Sequence, residues 1–196
     1  VENDFMTQPG IDTSRSVSHP EVDETRMIEE AQKDPAAFGQ LYQIYVQPVF
    51  KYLYSRIGRA AEAEDATAQT FLAALEGLRR YRNEGHFAAW LFGIARRKAI
   101  DHFRSEKRIV QLEHAEQIPT DGDLLGQAIH SEQNQALLKL LRSLPEDERE
   151  LIRLRYVAEL NFADIGQLLR RSEEATKKSL YRLLALLECQ LEAYHE

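Results

Sequence analysis

Phe87 to Arg108 reads FAAWLFGIARRKAIDHFRSEKR, and the fold turns on it. The segment holds no proline and one glycine, and its apolar residues recur at helical spacing, which predicts a single amphipathic helix. At about 100° per residue, Ala88, Phe92, Ala95, Ala99 and Phe103 share the face expected to meet the core. Trp90, Arg97, Asp101, Arg104 and Arg108 fall on the opposite face. A basic stripe with an aromatic on its outer side is suited to holding phosphates and stacking a base. The plainer alternative is a solvated charged face with Trp90 wedged against a neighbouring helix. Taken alone the segment favours that alternative, because most charged helix faces are only solvated. Its neighbours on both sides shift the balance.

Upstream, EAEDATAQTFLAALEGLRRY predicts a helix from about Ala61 to Tyr81, with Phe71, Leu72, Leu75 and Leu78 as its core stripe. Acidic residues crowd its first turn and Arg79, Arg80 and Arg82 its end, which suits the helix dipole. Asn83 to His86 then form a short polar loop. Further back, Asp34-Pro35 marks a helix start, with Asp as N-cap and Pro in the first turn. The helix that follows turns Phe38, Leu41, Tyr42, Tyr45, Val49, Tyr52 and Leu53 to one side. Pro48 is expected to kink or break it, and Gly58 to stop it. A short helix is expected over Arg26–Lys33. Val1 to about Thr25 is polar and without period, and reads as a disordered leader. Met6 is read as the native start, with Val1–Phe5 an appended remnant.

Downstream, Ile109 to about His130 is acidic, carries Pro119 and two glycines, and sustains no period, so it reads as a linker. Helical patterning resumes at Ser131 with NQALLKLLRSL, and Pro145 opens EDERELIRLRYVAEL. Asn161 is placed to cap the short helix FADIGQLL, with Asp164 as its partner. A tight turn, Arg170-Arg171-Ser172, precedes a last long helix capped by Ser172. Two short-linked helices of this kind are a helix-turn-helix pattern. On the last helix Leu180, Leu183, Leu184, Leu187 and Leu191 form an apolar stripe, while Lys178, Tyr181 and Arg182, with Lys177 beside them, lie opposite. These are the residue types with which a recognition helix meets base edges and phosphates. Arg170 and Arg171 are placed to clamp backbone. Glu173 and Glu174 would repel phosphate, though Glu174 can also accept from a cytosine amino group. A helical hairpin that only packs is the competing interpretation. Nothing reads as a strand.

Charge divides the chain in the same way. The net charge of −7 is made up of −6 over residues 1–30, +5 over 31–108, −5 over 109–136 and −1 over 137–196. A basic module and a near-neutral module are thus separated and preceded by acidic segments. No apolar run approaches the ~20 residues of a membrane span. The polar, acidic beginning does not read as a signal peptide. Cys189 is the single cysteine, which excludes an intrachain disulfide and fits a reducing cytoplasm. The six histidines show no metal-site spacing, and no phosphate-binding loop, dinucleotide loop or nucleophile elbow occurs. No cofactor and no catalytic residue is expected.

In this order the elements resemble the extracytoplasmic-function (ECF) sigma factors of bacterial RNA polymerase, over roughly Ala31 to Leu191. FGQLYQIYVQPVFKYLYSRIG is similar to the opening of sigma region 2. EAEDATAQTFLAAL is similar to the polymerase-clamp-binding helix, usually written EDLVQETF. FAAWLFGIARRKAIDHFR is similar to the helix that melts and reads the −10 element, and SLPEDERELIRLRYVAELNFADIGQLL to region 4 up to its helix-turn-helix. The resemblance implies an all-α fold of two small helical domains. Region 2 would span 26–108 and region 4 131–196, joined by an acidic linker over 109–130 and preceded by the leader over 1–25. It implies that Asp65, Gln69, Thr70 and Phe71 face the polymerase clamp. Asn83, Glu84, His86 and Phe87 would belong to the loop that captures a flipped −10 base. Trp90, Arg96, Arg97 and Arg104 would hold the opened strand and its upstream duplex. Arg170, Arg171, Lys177, Lys178, Tyr181 and Arg182 would anchor or read the −35 element.

The implied partners are core RNA polymerase, promoter DNA and an anti-sigma protein, with no membrane insertion. The sequence departs from the family pattern at Ala66-Thr67-Ala68-Gln69, where Leu-Val-Gln-Glu is usual. Arg97 replaces the usual Asn, and the turn at Arg170-Arg171 lacks the usual Gly. Two other functions compete: a stand-alone helix-turn-helix regulator, which the near-neutral C-terminal module argues against, and a protein-binding scaffold, which leaves Trp90, Arg97 and Arg104 without a nucleic-acid role.

Overall fold

A computed structural model of the chain describes residues 21–113 and 132–192. The expected leader before Glu21 and the linker from 114 to 130 lie outside these residues. Among those described, every regular element is a helix. The first module comprises α1 (Glu21–Lys33), a 3-10 turn (Pro35–Ala37), α2 (Phe38–Ile57), α3 (Ala60–Leu78) and α4 (Phe87–Glu113). The second comprises α5 (Glu132–Ser143), α6 (Glu146–Ile152) with a π-helical turn over Arg153–Val157, α7 (Phe162–Leu169) and α8 (Glu173–Glu192).

The caps expected from sequence form. Asp34 accepts a hydrogen bond from the Ala36 amide at 3.0 Å, Asn161 from Asp164 at 2.7 Å, and Ser172 from Ala175 at 3.2 Å. Gly58 ends α2 with φ 85°, a left-handed conformation that costs glycine little. Two boundaries and one expected break differ from expectation. α1 begins at Glu21, inside the expected leader, and α4 runs on to Glu113, into the expected linker. Pro48 does not break α2, which is assigned unbroken through it.

α2, α3 and α4 pack together, with α1 laid across α2. Leu41, Val49, Tyr52 and Leu53 of α2 meet Ala63, Phe71, Ala74 and Leu78 of α3 and Phe87, Ala88, Leu91, Phe92, Ala95 and Ala99 of α4 in the core. The first half of α4 is buried nearly all round, because α4 also packs against α7 of the second module. Leu168 of α7 packs over Gly93 there, at ordinary van der Waals distance (3.5 Å) from where a Cβ would stand. The buried apolar cluster is therefore continuous across both modules.

Candidate polymerase and promoter surfaces

Between α3 and α4 the chain turns through Asn83-Glu84-Gly85-His86. Asn83 Oδ1 accepts from the Gly85 amide at 3.4 Å, and Gly85 takes φ 80°. Three rings pin the ends of this loop: Tyr81, Phe87 and Trp90 lie with centroids 4.8–5.6 Å apart. Tyr45 meets Phe87 from α2 at 5.5 Å. Such tilted and edge-on pairs add to area burial. The Trp90 indole fills the space over Gly77, where a Cβ would come within 3.2 Å of it. From α1, the Gln32 side-chain amide donates to the carbonyls of Leu78 (3.0 Å), the last residue of α3, and of Tyr81 (2.8 Å) just beyond it. Burial pushes the Tyr81 phenol up to about 12. The loop is thus held on a stiff frame.

The expected DNA-facing residues divide. Glu84 is exposed and Asn83 half-buried, so both present polar groups at the loop. Phe87, 1% exposed, is an anchor inside the core, not a surface ring. Trp90 is half-buried and wedged against α3, as the plainer reading of its helix has it. Arg97 and Arg104 are exposed on α4; Arg97 Nε donates to the Gly93 carbonyl at 3.2 Å, and Arg104 lies 3.8 Å from Asp101. Arg96 turns elsewhere, its Nε 3.4 Å from Glu150 of α6. His86 Nδ1 lies 3.0 Å from Asp164 Oδ1 of α7. Burial raises the Asp164 carboxyl above the ordinary range, and the contact with His86 opposes that.

On α3, Asp65 and Gln69 are exposed. Thr70 is fully buried, its hydroxyl donating to the Ala66 carbonyl at 2.7 Å. Phe71 is buried too, edge-on to Phe38 and Tyr42. These two shape the helix from within. Leu72, expected in the core stripe, is instead 62% exposed, on the outward side with Asp65 and Gln69. Phe71 and Leu72 are adjacent, about 100° apart around the helix, so a stripe through Phe71, Leu72 and Leu75 is wider than the face that α3 buries.

In the second module Arg170, Arg171, Lys177, Lys178, Tyr181 and Arg182 are all exposed, as are Glu173 and Glu174. Lys177 Nζ stands 5.9 Å from the Tyr181 ring centroid, and Phe162 braces that ring at 6.3 Å. Arg170 adopts φ 57°, ψ 46° at the turn where glycine is usual. Gly166 closes the turn: a Cβ there would meet the Arg171 carbonyl oxygen at 2.8 Å. Leu180, Leu183 and Leu187 are buried, whereas Leu186 is exposed.

Residues 41–109 match the Sigma-70 region 2 family, and residues 134–187 match Sigma-70, region 4. The ECF RNA polymerase sigma factor ShbA of Streptomyces griseus is 32% identical over 158 residues, 73% of this chain and 82% of that protein. The chain belongs to the ECF sigma factors. BldN of Streptomyces coelicolor is 34% identical over 171 residues, but this sigma factor spans only 63% of BldN's length. SigW of Bacillus subtilis is 28% identical over 178 residues, covering 85% of this chain and 95% of SigW. Two solved structures share the sigma-factor fold at TM-score 0.61 and 22% identity. One is CnrH with the cytosolic domain of CnrY, covering 86% of this chain and 96% of CnrH. The other is RpoE with the anti-sigma factor NepR from Bartonella quintana, covering 79% and 96%. Among the described residues of this sigma factor, no helix is long and apolar enough to cross a membrane, and no cluster of side chains could hold a metal ion.

Proposed function

We propose that this chain binds core RNA polymerase in the cytoplasm, directs it to promoters with −35 and −10 elements, and helps open the −10 region. It works as an initiation factor, separating strands by trapping unstacked bases and not by a catalytic step of its own. The first module, from about residue 26 to the end of α4, would carry core and −10 binding. The second, from about 131, would carry −35 binding.

Core polymerase would meet the outward face of α3 at Asp65, Gln69 and Leu72, with Thr70 and Phe71 holding that face in shape. Asn83, Glu84 and His86 would frame the captured base. Phe87 and Trp90 would stiffen the loop, and Arg96, Arg97 and Arg104 would follow the phosphates. Arg170, Arg171, Lys177, Lys178, Tyr181 and Arg182 would serve the −35 element. An anti-sigma protein is a further proposed partner, as RpoE is seen with the anti-sigma factor NepR.

The observation that carries this reading is the aromatic frame of Tyr81, Phe87 and Trp90. It holds a polar loop rigid at the start of a helix with exposed arginines, and preorganised capture costs less ordering on binding. Two modules on one chain gain by effective concentration, so each needs only modest affinity. Transcription with purified core polymerase is the test: promoter-dependent transcripts are expected, and a chain that neither binds core nor yields them overturns the proposal.

A further inference from the structure

α1 ends before the stretch that matches Sigma-70 region 2, residues 41–109, yet it reaches the frame of the 83–86 loop at two points. The first is Gln32. Its amide carries two hydrogens on one nitrogen, and that nitrogen stands 3.0 Å from the Leu78 carbonyl oxygen and 2.8 Å from that of Tyr81. The Tyr81 amide donates to the same Leu78 oxygen at 3.0 Å, so the turn leaving α3 is tied both by its own backbone and by α1. The second point is Glu24, whose carboxylate accepts from the Tyr45 hydroxyl. The Tyr45 ring meets Phe87, at the other end of the loop.

A helix can brace a loop only if it is itself held. Ile28 is fully buried and Ala31 nearly so, both in the core with α2 and α3. Gln32 follows directly and is half-buried where α1 meets α3. From the turn it ties, the constraint passes on through rings: the Tyr81 centroid lies 5.6 Å from that of Phe87 and 4.8 Å from that of Trp90. The loop residues Asn83 to His86 therefore run between two ends that α1 helps to hold, one through backbone carbonyls and one through Tyr45. A short loop keeps its shape only as well as its ends are fixed. A loop already in position receives a base without the ordering cost that a loose one incurs.

We propose that α1 positions the −10-reading loop, with Gln32 as its positioning residue: by tying the Leu78–Tyr81 turn it sets the geometry in which Asn83 to His86 receive a base, and with it the selectivity at −10. This deepens the sigma-factor reading above and rests on it. Gln32 acts through Tyr81 and the rings around it, not by touching DNA or polymerase. Its loss therefore falls on base discrimination at −10 and spares core binding and the −35 surface on α8.

The test uses the full chain with Gln32→Met, which keeps the length and bulk of the side chain and removes both donors. Parent and variant are assembled with purified core polymerase on a linear template pool randomised across the −35 and −10 regions, and the templates that yield transcript are sequenced. The parent is expected to favour its captured −10 base about tenfold over the alternatives, the discrimination of a good hydrogen-bonded contact. In Gln32→Met that preference should fall below about threefold, with −35 preference and core affinity each within about twofold of the parent. A merely structural role lowers the active fraction, which scales every transcript alike and moves neither preference. An unchanged −10 preference in the variant overturns the proposal, and so does an equal loss at −35. If circular dichroism finds Gln32→Met unfolded, Gln32→Asn, too short to span both carbonyls, is judged by the same two preferences. A parent that does not bind core, or shows no −10 preference, counts against the sigma-factor reading and takes this proposal with it. A selective parent with an equally selective variant sinks this proposal alone.

Discussion

Leu72 stands 62% exposed on the outer side of α3. An exposed leucine is ordinary by itself, but this one shares its face with Asp65 and Gln69, the residues proposed to meet polymerase. Leu72→Asp should weaken binding to core at least about tenfold, as expected for an apolar interface anchor, with helix content unchanged; fluorescence anisotropy of labelled protein titrated with core measures it. Arg97→Asn should change −10 sequence preference while leaving core binding intact, read by transcription across a library of −10 variants. An unchanged preference removes Arg97 from the reading surface. Tyr52 belongs to the interior. Tyr52→Phe deletes a hydrogen bond to the buried Glu150 carboxylate and should cost about 1.5–3 kcal/mol of stability, seen as a lower urea midpoint.

At the scale of elements, the turn between α7 and α8 holds two opposed choices. Gly166 has no room for a side chain against the Arg171 carbonyl, whereas Arg170 sits in a left-handed conformation that glycine adopts more easily. Gly166→Ala should therefore destabilise the chain by about 1–3 kcal/mol, and Arg170→Gly should stabilise it by up to about 1 kcal/mol; paired thermal melts decide both signs. The helices themselves were legible, because Asp34-Pro35, Asn161, Ser172 and Gly58 punctuate the chain with local chemistry that needs no tertiary contact. Faces were less so. Phe71 and Leu72 are adjacent and equally apolar, and only the packing of α3 on α2 and α4 determines which is inside. Gln32 reads as a polar residue of a short helix, yet it caps the end of α3 some 46 residues away. The charged pairs between modules were out of reach altogether: Glu150 and Arg56 lie 94 residues apart, and each reads as surface until the other is placed beside it.

For the molecule as a whole, the shared core and the bonds of Glu150 to Tyr52 and Arg56 join the two modules into one unit, and that unit has a characteristic alkaline limit. Burial raises the Tyr45, Tyr52 and Tyr81 phenols, with Glu24 adding to the effect at Tyr45 and Tyr81 and Glu150 at Tyr52. A phenol raised in the folded state contributes stability that is fully present below its unfolded value, about 10. That stability is lost as pH climbs further, because the unfolded chain releases those protons first. Urea midpoints should accordingly fall steeply as pH rises above 10, and Tyr52→Phe should flatten the fall. A flat alkaline limb in the parent would refute the assignment. The indole over Gly77 adds an optical consequence. Trp90 is the sole tryptophan, packed on Tyr81 at the root of the loop, so the tryptophan emission of the unlabelled protein comes from the place where a promoter base would be received. Any rearrangement of that place is written into the colour and intensity of its emission.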